Sequence, residues 1–294
     1  MSIDSSQLAA FAAVVQEGSF ERAAGTLHIT RSAVSQRVKL LEERIGQVLI
    51  RRASPCTPTQ AGQALLRHAQ QVALSEAQAL QALGVAPQAG AHLAVGVNAD
   101  SLATWFVAAM AEARQSMAMT FDVHVEDQDH SSQLLREGRV MAAVTAEPRP
   151  VQGCRAIRLG TMRYRALASP AFMAQFFSQG VDAASLAAAP TLVFNRKDSL
   201  QQRFMQRITR RALTPPVLWI PSSHAFVEAC LAGLGWGMNP EGLVQPLLAS
   251  GQLVEVAPGK PVDVPLYWQC WRLDVAALSA LTEAVQRQAA LSLR

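Results

Sequence analysis

Between positions 31 and 52 six basic side chains, Arg31, Arg37, Lys39, Arg44, Arg51 and Arg52, stand against two acidic ones, Glu42 and Glu43. Wound as a helix, the first part of this stretch sends Val34, Val38, Leu41 and Ile45 to one side and Arg31, Ser32, Ser35, Gln36 and Lys39 to the other. That division suits the major groove of DNA, where Arg, Gln and Ser bond base edges and the remaining cations meet phosphates. A basic helix face alone would fit a solvated surface equally well, so the surrounding elements must decide.

A second group of polar residues sits at the ends of β-type runs. LAVGV (93–97) ends at Asn98, Ala99, Asp100 and Ser101; FDVHV (121–125) ends at Glu126 and Asp127; MAAVT (141–145) ends at Thr145. LVF ends at Asn195, and LWIP leads to Ser222 and Ser223 before another helix. Strand ends of open α/β sheets carry ligand-binding loops, so these five could surround one amino acid. Asp100, Glu126 and Asp127 would suit the cation of lysine or arginine. Free N–H groups at helix starts near Ser101 or Ser223 would receive a carboxylate. Equally, Asp100, Ser222 and Ser223 could cap helices and Asp127 could stay in water.

The elements that would position the basic helix are legible. Leu8, Phe11, Val14 and Val15 form the apolar face of a first helix that stops at Gly18. Ser19 caps a second, with Phe20, Ala23, Ala24 and Leu27 inward, and His28, Ile29 and Thr30 turn into the third, capped by Thr30. Two helices joined by a three-residue turn make a helix-turn-helix. Leu49 and Ile50 begin a hairpin with Arg51 and Arg52 on its arm and SPCTPT as its turn, a wing suited to phosphates. Thr59 caps a long helix through Leu83, on which Leu66, Ala69, Ala73, Ala77, Leu80 and Leu83 form one stripe. A helix of about 24 residues spans roughly 36 Å, too long for a small winged domain to cover, so the stripe is expected to pair with a second copy. The DNA-facing set is Ser19, Thr30, Arg31, Ser32, Ser35, Gln36, Arg37, Lys39, Arg51, Arg52 and Thr59.

Beyond the Gly- and Pro-containing segment GVAPQAGA (84–91), short strands alternate with helical stretches such as LATWFVAAMAEARQ, the rhythm of an α/β domain with a largely parallel sheet. With 294 residues, 50% of them hydrophobic, the chain can build two or three compact units. The net charge of +4 is compatible with a polyanionic partner without requiring one. No basic leader precedes an apolar run and none approaches a membrane span, so a cytoplasmic protein without membrane contact is expected. The four cysteines form no CxxC pair and the six histidines no ligand spacing, so neither metal nor disulfide framework is expected. GxSxG, HExxH, GxGxxG and Walker-type signatures are absent, which counts against an enzyme, and no cofactor is expected.

The run FERAAGTLHITRSAVSQRVKLLEERIGQVLIRR followed by PTQAGQALL resembles the DNA-binding domain of LysR-type transcriptional regulators. SQRVKLLEERIGQ, VNADSLATW, VEDQDH and SSHAFVEA further resemble the ArgP, IciA or LysG branch, which controls export of basic amino acids. The resemblance implies a winged helix-turn-helix over 1–59, a dimerisation helix and hinge over 60–91, and an effector domain over 92–294 built like a periplasmic binding protein. Its first lobe would hold 92–165 and 267–294 and its second 166–266, joined by two crossing strands with the effector between them. The implied partners are double-stranded DNA, a small-molecule effector, RNA polymerase and further copies in a homodimer or homotetramer. His224 departs from the branch's acidic residue, and Met238 and Asn239 from its polar loop. A solute-binding protein would share the C-terminal architecture, but the helix-turn-helix opposes that alternative; a LysR-type regulator of another effector is the nearer one.

Overall fold

Each of the first three helices starts at a side-chain acceptor. α1 (Ser5–Glu17) is capped by Asp4 and ends at Gly18, φ 64°; α2 (Phe20–Thr26) is capped by Ser19; α3 (Arg31–Ile45) is capped by Thr30 and ends at Gly46, φ 74°. The computed structural model describes residues 3–84, 90–126 and 131–294. Phe11, Val14, Ala23, Val34, Val38 and Leu41 close one core among these helices. β1 (Ile50–Arg51) and β2 (Thr57–Pro58) pair antiparallel as a short wing. α4 (Gln60–Ala82) then passes so close beneath it that a Cβ on Gly62 would collide with Leu49 O.

The stripe along α4 does not form one seam. Leu66 and Ala69 are buried in the core of the first three helices, Leu74 packs into the core of the C-terminal unit, and Ala73, Leu80 and Leu83 are exposed. So small a domain needs the first turns of α4 as a lid for its own core. Leu66 and Ala69, expected on a seam with a second copy, are therefore taken up within the chain itself.

The C-terminal unit begins with β3 (Ala91–Val97). A single helical run follows, α5 (Ala99–Ser101) continuing through a π turn at Leu102–Phe106 into α6 (Val107–Ser116). Then come β4 (Met119–Val125), α7 (Ser131–Arg136), β5 (Ala142–Thr145) and the long β6 (Cys154–Ala168). The second lobe comprises α8 (Pro170–Phe176), α9 (Ala183–Ala188), β7 (Thr191–Val193), α10 (Leu200–Thr209), β8 (Val217–Trp219), α11 (Ser223–Leu231), β9 (Gly237–Pro240), α12 (Glu241–Ala249) and β10 (Val254–Glu255). β11 (Val262–Trp271) returns to the first lobe, where α13 (Ala276–Ser292) packs on α6.

The main sheet has the order β10-β6-β11-β5-β3-β4, with β9 beside β6. Only β3 runs parallel to its neighbours β4 and β5; β11 is antiparallel to β5 and β6, and β6 to β9 and β10. β7 and β8 are parallel in a separate pair. The expected largely parallel sheet is therefore mixed, because β11 comes back from the second lobe against the direction of the βα units. β6 and β11 lie side by side from Cys154 opposite Trp271 to Tyr164 opposite Val262, carrying the chain between lobes. Midway their register slips at Leu266/Tyr267 opposite Gly160, where a φ of 142° disfavours a side chain and an added Cβ would come within 2.8 Å of Leu293 Cβ. Among the described residues no helix is long and apolar enough to cross a membrane.

Candidate functional site

Two surfaces gather the functional side chains. On the first, α3 turns Arg31, Ser32, Gln36 and Lys39 to solvent, with Ser35 and Arg37 half-buried beside them. Val34, Val38 and Leu41 anchor the opposite face at 0% exposure, so the polar row sits on a fixed axis. Arg31 pairs loosely with Glu21 at 3.6 Å and Lys39 with Glu43 at 3.6 Å, both largely exposed, so neither cation is locked away from a phosphate. Arg51 and Arg52 are exposed on the wing, and the Arg52 guanidinium stacks 5.2 Å from the Phe20 ring centre.

Three of the expected DNA-facing residues are occupied in holding the unit together. Ser19 Oγ accepts from Glu21 N and Arg22 N, and Thr30 Oγ1 from Ala33 N. Thr59 Oγ1 donates to Val48 O at 2.7 Å and accepts from Gly62 N at 3.1 Å, which ties wing to α4. Glu42, one of the two acidic exceptions in the basic stretch, holds the wing in place. Its Oε1 accepts from Leu49 N and Ile50 N at 2.8 and 3.3 Å and fixes the start of β1. Its position in the last turn of α3, facing the following strand, was the available signal.

The second surface is a narrow cleft, open to solvent, between the lobes. The first lobe supplies Ala99, Asp100 and Glu126, and the second supplies Phe194, Asp198, Leu200, Ser223, Phe226, Met238, Asn239 and Pro240. Asp100 lies in the first turn of the helical run from Ala99, where Thr104 Oγ1 donates to its carbonyl at 2.6 Å at the start of the π turn. Its carboxylate bridges the lobes, accepting from Ser223 Oγ at 2.7 Å and from the Tyr164 hydroxyl of β6 at 2.8 Å. At the other rim Glu126 Oε2 meets Lys197 Nζ at 3.3 Å.

Several polar side-chain atoms of the C-terminal unit are buried without a partner among the described residues. Asn98, 1% exposed, begins the helical run with neither amide atom bonded, and Ser101 Oγ and Ser132 Oγ are likewise unbonded. On the facing wall Asn239 Nδ2 donates to Gly237 O, while its Oδ1 is buried and unbonded. Unpartnered buried polar groups cost about 1 to 3 kcal/mol each, and Asn239, the one of these residues that lines the cavity, offers an amide oxygen that a ligand or ordered water would complete.

Of the residues expected at this site, Asp100, Glu126 and Ser223 line the cavity together, whereas Asn98 and Ser101, beside Ala99 and Asp100 in sequence, are buried and do not line it. Asp127 lies outside the described residues. Thr145 is fully buried and accepts from Glu147 N, so it shapes the end of β5. Asn195 also turns away from the cavity wall: its Oδ1 accepts from Lys197 N and Asp198 N and folds its own loop. Ser222 is an exposed cap of α11, and His224 is exposed on the same helix. Tyr164 and Asp198 are additions. Asp198 follows Asn195 in one strand-to-helix loop, which sequence could have signalled; the inward hydroxyl of Tyr164 depends on where β6 crosses.

With this geometry in place, comparison with known proteins gives the class. Residues 5–63 match the bacterial regulatory helix-turn-helix protein, lysR family, and residues 86–290 match the LysR substrate binding domain. The chain belongs to the LysR family of DNA-binding transcriptional regulators. Within it the chain is of the LysG and ArgP type: it is 48% identical over 288 residues to LysG of Mycobacterium bovis, covering 98% of this chain and 94% of that one. The crystal structure of ArgP from Mycobacterium tuberculosis superposes with a TM-score of 0.87 at 47% identity, covering 100% and 99% of the two chains. Full-length LysG from Corynebacterium glutamicum with bound effector Arg superposes with a TM-score of 0.78 at 38% identity, covering 99% and 100%.

Proposed function

We propose that this regulator responds to a basic amino acid, lysine or arginine, and controls a gene for basic amino acid export. The charge of the cavity wall carries the reading: among the described residues Asp100, Glu126 and Asp198 line it and no basic residue does, Lys197 reaching Glu126 from its rim. A ligand cation gains charge-assisted hydrogen bonds there, whereas a purely anionic ligand would face three carboxylates. The α-carboxylate would lie over the helical run starting at Ala99, near the unbonded atoms of Asn98 and Ser101. The α-ammonium would meet Asp100, and the side-chain cation would extend towards Glu126 or Asp198. The arginine held by the Corynebacterium glutamicum relative supports a ligand of this charge. The export target rests on the resemblance to the branch.

On the DNA side, Arg31, Ser32, Ser35 and Gln36 would reach bases and Arg51 and Arg52 phosphates. Two copies would join along the distal part of α4, and a dimer of dimers would bind an interrupted inverted repeat in the cytoplasm. Effector occupancy would alter lobe closure, DNA bending and contact with RNA polymerase. The lobe division would fall at 92–165 with 267–294 and at 166–266.

Calorimetric titration of lysine and arginine into the full-length protein tests the effector. Asp100→Asn removes the partner of a desolvated ammonium and should cost about 2 to 5 kcal/mol, at least tenfold in Kd. A wild type that bound neither amino acid, or an Asp100→Asn variant with wild-type affinity, would end the basic amino acid reading.

A further inference from the structure

Glu126 and Lys197 come from different lobes, yet they meet at 3.3 Å at the rim of the cavity. The lysine reaches Glu126 from the loop between β7 and α10. Asn195 Oδ1 fixes that loop through Lys197 N and Asp198 N, and the Asp198 carboxylate fixes it further through Phe194 N and Leu200 N. The backbone under Lys197 is thereby held, and its side chain alone can swing, half-exposed at 47% opposite Glu126 at 38%. An ammonium on a four-carbon stem is also the side chain of free lysine. The protein thus holds a covalent copy of the group that its cleft would bind, on one of the carboxylates that would bind it.

We propose that Lys197 is a tethered competitor: in the ligand-free protein its ammonium occupies Glu126, and the side-chain cation of the effector enters by displacing it. The inference rests on the basic amino acid reading above. A neutral amino acid leaves the pair intact, whereas a cationic one must break it, so Lys197 sets the effector concentration at which the cleft fills. The displaced ammonium swings into water and leaves no buried charge behind, so exchange is cheap. A half-exposed pair is weak, so the competition should amount to a few-fold in affinity.

The experiment is calorimetric titration of lysine and arginine into the full-length wild type, Lys197→Met, Lys197→Arg, Arg196→Met, Glu126→Gln and the Lys197→Met/Glu126→Gln double variant. Lys197→Met should bind both ligands about two- to fivefold more tightly than wild type. Lys197→Arg, which keeps the cation, should return towards wild type. Arg196→Met removes the same charge one residue away, from a side chain that stacks on Trp219, and should change affinity less. In the Glu126→Gln background Lys197→Met should have no further effect. Weaker binding by Lys197→Met would make Lys197 a ligand contact instead and overturn the proposal. Unchanged binding, equal tightening by Arg196→Met, or tightening that persists without Glu126 would overturn it as well. A wild type that binds neither amino acid overturns the effector reading itself, whereas wild-type binding unmoved by Lys197→Met overturns the competitor alone.

Discussion

The DNA-facing surface and the effector cleft use polar side chains in opposite ways. α3 and the wing display Arg31, Gln36, Arg51 and Arg52 to solvent on an apolar core closed by neighbouring helices. The cleft wall includes Asn239 with an unbonded amide oxygen, and Asn98 and Ser101, beside Ala99 and Asp100 in sequence, are buried with unbonded polar atoms. A surface that meets a large, strongly charged partner can keep its groups hydrated until contact, because phosphates supply most of the attraction. A site for a small molecule must prearrange its groups out of water, so that each contact is strong and a misfit is costly. One surface is therefore assembled from neighbours in sequence, and the other from loops up to 123 positions apart, as in the Ser223 to Asp100 bond.

The largest effect that could break this contrast concerns the helix joining the two units. Leu80, near the end of α4, and Leu83, just past it, are 41% and 76% exposed, and the proposed seam with a second copy runs through them. Leu80→Glu would bury a charge against its symmetry mate, costing about 3 to 5 kcal/mol, and should dissociate dimers and abolish half-site pairing on DNA. The cleft should keep its effector affinity. Sedimentation of an intact Leu80→Glu dimer would reject the seam, and loss of effector binding would show that the cleft depends on it.

A smaller effect separates the roles within the DNA-facing surface. Gln36→Ala should cost about 1 to 3 kcal/mol at the cognate site and relax sequence preference, because an exposed side chain near the start of α3 is placed to reach base edges. Arg52→Ala should weaken all sequences alike and lower the slope of log K against log salt by about 1. A Gln36→Ala variant with unchanged specificity would mean that another face of α3 reads the bases.

The same contrast explains what was legible in the sequence. Ser19, Thr30 and Thr59 announce their helices because capping acts across two or three residues, and the 3.6-residue apolar period of α3 identifies its buried side without any tertiary knowledge. The stripe on α4 was legible as apolar, but its division between an internal lid at Leu66 and an exposed end at Leu80 depends on how large the first core is. Strand ends indicate the loops of Asp100, Glu126, Asp198 and Ser223 that line the cleft, but also Thr145, which does not, and they do not say which side chain turns inward. Ser223 faces it while Ser222 caps, and Asp198 lines it while Asn195 folds the loop. The direction of β11, and with it the mixed sheet and the position of Tyr164, follows from a return between lobes that has no local periodicity.

The smallest effect is a rate of thiol modification, and it compares the two regions directly. Cys56 sits on the wing and is partly exposed, whereas Cys154, Cys230 and Cys270 are buried in the C-terminal unit. Burial pushes the Cys154 thiol up to about 11 and the Cys230 thiol up to about 12. The thiolate is the reactive form, so at pH near 8 both groups stay protonated as well as inaccessible. An aromatic disulfide reagent should therefore modify Cys56 first in the native protein and all four thiols after denaturation. If the wing lies along the DNA backbone, cognate DNA should slow the reaction of Cys56, whereas lysine or arginine in the cleft should leave its rate unchanged. Absorbance of the released thiolate, followed with and without each ligand, decides the matter. Equal protection by an amino acid would mean that occupancy of the cleft closes the wing, and no protection by DNA would remove the wing from the interface.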